Sequence, residues 1–225
     1  MMTAAQIVVL QSPPPPSRAR IIRQDNWDDR SPPSGSGTGD DWIVECWPEA
    51  ARNGLYGLYC KSRATTPTAG DTVTATITTD LPVPGILEWT GWYRYQVLAN
   101  VNRKRWLIEL HTGGRNWQCV ISQYPNSGTV KYQNAAGAAI TIDALAQDPD
   151  PNVWYYWRLV VNSNLLQYVS ATVGEKTADL SGIGAYDAGA AGDSLINWQF
   201  SNIAGTAPPL TIHHDDCMIR RLGAG

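Results

Sequence analysis

The side chains best suited to chemistry lie in three places along this chain. His213-His214-Asp215-Asp216 is the densest run of ligand-type residues. Successive side chains of an extended strand point to opposite faces. Alternation therefore groups His213, Asp215 and Cys217 on one face, and His214, Asp216 and Met218 on the other. A His-x-Asp pair on one strand could supply two ligands of a facial iron triad, with His111, far upstream, as the third. The second place is a pair of glutamates. Glycoside hydrolysis uses two carboxyl groups, about 5–5.5 Å apart in retaining enzymes. Of the five glutamates, Glu88 (in ILEWT) and Glu109 (in LIELH) sit inside strand-like stretches, where they could meet across a sheet. The third place is aromatic. Trp89, Trp92, Tyr93 and Tyr95, beside Trp106 and Trp117, could form a sugar-stacking platform with Asn and Arg donors nearby. Packing in a core accounts for the same rings, since amphipathic aromatics serve both ends.

Composition narrows the partners. Net charge is −3, and no basic cluster exceeds Arg103-Lys104-Arg105, so the electrostatic footprint of a nucleic-acid binder is missing. No apolar run approaches the roughly 20 residues of a membrane span. The N-terminus, MMTAAQIVVLQSPPPP, lacks a basic leader and a small-residue cleavage site, which predicts cytoplasmic synthesis without a signal peptide. Cys46, Cys60, Cys119 and Cys217 lie far apart in apolar patterns with no C-x-x-C. That spacing is wrong for zinc and predicts buried free thiols, with a Cys46–Cys60 bridge as the open alternative. No nucleophile elbow or phosphate loop is present.

Period-two alternation is the dominant pattern. Asn152 to Leu180 holds its clearest case: Val153, Tyr155, Trp157, Leu159 and Val161 share one face, and Trp154, Tyr156, Arg158 and Val160 the other. A strand apolar on both faces belongs at a sheet centre. Gly174-Glu175 suits a type II′ hairpin and Gly113-Gly114 a second two-residue turn. Further strands are predicted at Asp41–Trp47, Gly54–Ser62 (with Gly57 a bulge), Asp71–Thr79, Arg105–Thr112, Asn116–Gln123, Leu195–Ile203 and Leu210–Leu222. Ile86–Val101 is one long strand or two broken near Gly91, while Ser31–Gly39 and Ala185–Gly192 read as loops. Helical periodicity is absent. The fold class is all-β: a two-sheet antiparallel β-sandwich over residues 25–225, with an extended Pro-rich arm over residues 1–24. In the arm, Gln6, Ile7, Val8, Val9 and Leu10 could make one strand, whereas Pro13, Pro14, Pro15 and Pro16 impose an extended segment unable to join a sheet interior.

Three stretches carry a family resemblance: Q-D-N-W-D-D at 24–29, W-Y-x-W-R-L-V-V followed by Y-V-S-A-T-V-G-E-K at 168–176, and the closing H-D-D-C-M-I-R at 214–220. Together they resemble the concanavalin A-like, laminin G-like jelly rolls. In that superfamily the first and last strands lie side by side. With those two strands adjacent, a structural calcium ion could join Asp28 or Asp29 to Asp215 or Asp216, whose hard carboxylate oxygens suit it; the alternative is that these residues hydrogen-bond loops and the arm. Glycanases of the superfamily carry E-x-D-x-E on one strand, a motif this chain lacks. The resemblance also implies lectins, glycan-binding modules, glycanases, or structural domains of phage virions and tails.

The expected function is a non-enzymatic attachment protein of a virion or similar particle surface, its arm docked on protein partners in an oligomeric lattice and its sandwich displayed toward glycans. A free-standing carbohydrate-binding module is the first alternative, and a glycoside hydrolase or lyase the second.

Overall fold

The computed structural model describes residues 20–25, 27–38, 41–62, 68–80, 84–205 and 209–222. The arm residues Gln6 to Leu10 and Pro13 to Pro16 lie outside the described residues. In chain order the strands are β1 (Arg20–Asp25), β2 (Ser34–Gly37), β3 (Ile43–Trp47), β4 (Gly57–Lys61), β5 (Thr72–Asp80), β6 (Ile86–Tyr95), β7 (Val101–Thr112) and β8 (Arg115–Tyr124). They continue as β9 (Thr129–Gln133), β10 (Ala139–Thr141), β11 (Trp154–Asn162), β12 (Gln167–Val173), β13 (Lys176–Asp179), β14 (Tyr186–Ala190), β15 (Leu195–Ala204) and β16 (Thr211–Leu222). Among the described residues the only helical pieces are single 3-10 turns, so none could cross a membrane.

Two eight-stranded antiparallel sheets face each other. Sheet A runs β13-β12-β11-β6-β16-β4-β3, with β1 beside β16; sheet B runs β10-β9-β8-β7-β15-β5-β2, with β14 beside β8. The opening and closing strands are therefore neighbours, as the resemblance implied. β5 follows its alternation: Val73, Ala75 and Ile77 are buried and the threonines between them are not. β11 lies inside sheet A between β6 and β12, as its two apolar faces predict. Gly174 has φ +63 and the Gly113-Gly114 pair +60 and +73, the left-handed region these hairpin turns require.

The aromatic surplus fills the space between the sheets. Trp89 meets Trp157 edge-on at 4.5 Å and tilts against Phe200 at 4.7 Å, while Trp106 stacks on Trp157 at 5.6 Å. Edge-to-face pairs of this kind add about 0.5–1.5 kcal/mol each beyond burial. The Tyr93 and Tyr95 hydroxyls both donate to Gln123 Oε1, at 2.7 and 2.9 Å, so the phenols are satisfied without solvent. Lys104 is also fully buried, its ammonium 3.1 Å from His214 Nε2 and near the rings of Tyr93, Trp106 and Phe200. Burial brings it down to about pKa 7.

Several expectations need correction. The sandwich takes in residues 20–24, since β1 pairs with β16 from Arg20 onward. Two stretches expected as loops form edge strands: Ser34–Gly37 against β5, and Tyr186–Ala190 against β8. A Cβ at Gly35 would lie 2.6 Å from the Trp42 ring, so the glycines that suggested a loop are there for close approach. Gly57 opens β4 because any Cβ there would strike the Ala50 carbonyl at 1.9 Å. β6 runs unbroken through Gly91. The break is in β16, where Asp215 opposes Trp92 but Met218 opposes Thr90, a β-bulge with Asp216 at φ +48. The extra residue turns Cys217 into the core, off the face of His213 and Asp215. Cys46 opposes Leu58 while Cys60 opposes Val44, and all four cysteines are free. Burial raises the thiols of Cys46 and Cys60 to about 11 and about 12.

Candidate functional site

The outer face of sheet A gathers side chains from five strands into two adjacent rungs. Register places Trp154 beside Arg94, Arg94 beside His213, His213 beside Tyr59, and Tyr59 beside Glu45. The next rung sets Tyr156 beside Trp92 and Trp92 beside Asp215. Trp92 and Tyr156 tilt together at 5.4 Å. Trp47 stacks on Tyr59 at 5.0 Å, donates its indole N–H to Glu45 Oε2 at 2.8 Å, and leaves 40% of its surface exposed. Guanidinium groups cover selected rings, Arg52 over Trp92 at 3.8 Å and Arg94 over Trp154 at 5.1 Å. Such contacts contribute about 0.5–1 kcal/mol at exposed sites and fix the rings in place.

At one end of this band lies a cleft of about 420 Å³. Trp92, Trp154 and Tyr156 form its aromatic wall, and Gln147, Glu175 and Lys176 its polar rim. The β12–β13 hairpin builds the rim: Gly174 approaches Gln147 so closely that a Cβ would lie 2.5 Å from its side chain. Lys176 donates to the Ala146 carbonyl, which ties the hairpin to the loop preceding β11. An apolar, ring-lined cavity with a few fixed polar groups is the usual form of a small-ligand site.

Of the expected sugar platform, only Trp92 belongs to this surface. Trp89, Tyr93, Tyr95 and Trp106 are buried between the sheets, where no surface ligand reaches them. Strand parity explains the split: Trp92 alternates outward while Trp89, Tyr93 and Tyr95 alternate inward on the same strand. Trp117 packs against the core's edge and lines a separate cleft of about 400 Å³ with Thr112, Arg115, Ser163 and Leu166. Trp154, Tyr156, Trp47 and Tyr59 were missed. The signal for the first two was present, because they share a face with Arg158, the one charge in that strand.

The glutamates do not pair. Glu88 faces outward from sheet A and Glu109 outward from sheet B, so two sheets packed about 10 Å apart lie between them, beyond the reach of the two-carboxylate mechanism. Glu88 is 1% exposed and clamped by Arg158 Nε at 2.5 Å and by Arg220. Burial pushes its carboxyl up, but the bonds to Arg220 and Arg158 outweigh that and hold it below the ordinary value. Glu109 accepts four side-chain amides: Asn116 (3.2 Å) and Gln118 (2.9 Å) on Oε1, Asn197 (3.1 Å) and Gln199 (2.8 Å) on Oε2.

The iron triad does not assemble either, since His213 and His111 stand on the outer faces of opposite sheets. Burial and the neighbouring Arg94 lower His213 to about 4, and Arg94 donates to its Nδ1. The four aspartates act as loop anchors. Asp215 Oδ2 accepts the backbone N–H of Arg52 (2.6 Å) and Asn53 (2.9 Å); Asp28 Oδ1 accepts those of Leu55 (2.6 Å) and Tyr56 (3.0 Å). Asp216 holds the Arg52 and Asn53 side chains, and Asp29 the Ser31 N–H. Among the described residues no three His, Cys, Asp or Glu side chains converge as a metal site; of the expected calcium carboxylates, Asp28, Asp215 and Asp216 instead fasten the 52–56 loop beside Trp92.

No protein-family model and no curated protein matches this chain. Solved structures do match in fold. A carbohydrate esterase of the Shiga toxin-encoding bacteriophage phi24B is 11% identical, with 92% of this chain and 100% of that one covered at a TM-score of 0.60. A cellulose-induced protein, Cip1, is 12% identical over 90% and 100% at 0.58. An endo-β-1,4-glucuronan lyase of the fungus Trichoderma reesei is 10% identical over 94% and 96% at 0.54. At such identities the likeness is one of fold alone, a β-sandwich of two antiparallel sheets.

Proposed function

We propose that this protein binds carbohydrate without cleaving it, along the outer face of sheet A, with the Trp92–Trp154–Tyr156 cleft as the principal subsite. The observation that carries this reading is the cleft itself: three amphipathic rings on a solvent-facing surface with Gln147, Glu175 and Lys176 at the rim. Pyranose C–H faces stack on indole and phenol rings, and amide, carboxylate and ammonium groups satisfy the ring hydroxyls. Trp47 on Tyr59 extends the band toward the far edge of sheet A and offers a second stacking point for a longer chain. The names of the fold neighbours, a carbohydrate esterase and a glucuronan lyase among them, support sugar as the ligand class. Binding is favoured over hydrolysis because both strand glutamates are already committed to side-chain partners on opposite faces.

A glycan array probed with the full-length chain, followed by calorimetry on the strongest hit, tests the proposal. Trp154→Ala should weaken the hit about tenfold, the loss of roughly 1.4 kcal/mol expected for one stacking contact. Full affinity in both Trp154→Ala and Tyr156→Ala would refute it. Attachment to a larger assembly through residues 1–19 is proposed on composition alone; removal of those residues should abolish particle incorporation and leave glycan affinity unchanged.

A further inference from the structure

We propose that the outer face of sheet B carries an oxyanion-binding pocket for a carboxylate or sulfate group borne by an anionic glycan, with Arg103, Arg105 and Lys131 as its cations and Tyr124 and Ser122 as hydroxyl partners. That the anion's carrier is a glycan rests on the function proposed above; the anion chemistry rests on sheet B alone.

The pocket follows from register. Arg105, Ser122 and Lys131 form one rung across β7, β8 and β9. Arg103 and Tyr124 point outward on the next rung, and Gln133 flanks the other side. Together they line a cavity of about 240 Å³ with no carboxylate among its described lining residues. All three cations are half-buried. Lys131 lies over the Tyr124 ring at 5.1 Å, on the wall of the same cavity as the arginines. Among the described residues, neither Arg103 nor Arg105 has a hydrogen-bond or ion-pair partner.

Like charges gathered on neighbouring strands with no carboxylate between them repel one another, and a bound anion relieves that repulsion. Burial first, and Arg103 beside it, hold the Arg105 guanidinium below its ordinary pKa. Glu109, two rungs along β7, attracts Arg105 from a distance but forms no ion pair with it, its oxygens accepting from four amides. The other face of the molecule shows what neutralisation looks like here: Glu88 sits between Arg158 and Arg220. Guanidinium forks match carboxylate and sulfate oxygens in pairs, and the flanking hydroxyls can donate to the remaining oxygen.

The test uses the full-length chain titrated with polygalacturonate, dextran sulfate and neutral dextran, at low and at raised salt. Binding of one anionic polymer, weakening as salt rises and falling about tenfold or more in both Arg103→Gln and Arg105→Gln, is the expected result. Both arginines lack structural partners, so these variants should unfold at the wild-type temperature, which separates a lost site from a lost fold. Arg115→Gln, an equal loss of charge at the β7–β8 turn where the arginine pairs with Asp187, serves as the control and should bind the anionic polymer as wild type does. Equal affinity in wild type and both arginine variants overturns the pocket, as does failure to bind either anionic polymer. A single-stranded oligonucleotide that binds more tightly than both polymers overturns the glycan assignment. Loss of neutral-glycan binding in Trp154→Ala bears on the sheet A cleft and leaves this pocket standing, so the two readings fail separately.

Discussion

Each outer face of the sandwich carries a strand glutamate, and the two faces satisfy it by opposite means. On sheet A, Glu88 takes two arginines, and two further cations, Arg52 and Arg94, lie over tryptophan rings. What is left open there is aromatic. On sheet B, Glu109 takes four neutral amides, and what is left open is cationic. The same period-two alternation builds both faces. Local pairing, rather than total charge, decides which chemistry each one offers: a net charge of −3 conceals a basic pocket on one side and a ring-lined cleft on the other.

The sharpest way to break this contrast is Glu88→Gln. Removing one member of a buried ion group leaves the others uncompensated, at about 3–5 kcal/mol when fully buried. Arg158 and Arg220 keep 28% and 38% of their side-chain surface, so screening reduces the expected loss to about 2–3 kcal/mol, measured by thermal or denaturant unfolding. Acid titration sharpens the same point. Glu88 titrates below its ordinary value in the folded state, so the clamp's contribution is fully present above the ordinary carboxyl pKa near 4.5 and is lost as pH falls through the folded value. The stability gap between wild type and Glu88→Gln should therefore be constant from neutral pH down to the ordinary carboxyl range, then narrow. A gap that persists unchanged at the lowest pH would mean that packing, not charge, sets the effect.

A smaller effect is expected at the other carboxylate. Glu109→Gln keeps the shape and removes the charge from four amide contacts that can reorient, at about 1 kcal/mol. If it destabilises as much as Glu88→Gln, the two faces are not as different as their partners imply. A smaller change still is predicted for Trp47→Ala on sheet A: stability within about 0.5 kcal/mol, because the ring is exposed and stacked on one face only, with a modest fall in affinity confined to longer oligosaccharides.

Much of this architecture was legible in the chain, and particular residues show where legibility stopped. Val73, Ala75 and Ile77 announced their face, as did the glycines of both two-residue turns, because these depend on neighbours close in sequence. The adjacency of the QDNWDD and HDDCMIR segments also held. The Asp216 bulge was not readable, since it arises from the encounter of β16 with Gly91, where Cys217 and Trp157 need the space a side chain would fill. Trp89 and Trp92 looked alike as residues; only the assignment of inner and outer faces separates a core ring from a surface one. In the sequence the triplet Arg103-Lys104-Arg105 stood out only as the largest basic cluster. Strand parity divides it, sending Lys104 into the core and both arginines to the pocket.

The central claim, that sugar is recognised by the outer rings of sheet A, is tested most directly by following the ten indole N–H resonances of the full-length chain during titration with the oligosaccharide selected on the array. The account predicts shifts for Trp92 and Trp154 while the core indoles of Trp89, Trp106, Trp157 and Trp198 stay fixed. Saturable binding with Trp92 and Trp154 unmoved, or with shifts confined to Trp117 at the sandwich edge, would contradict it.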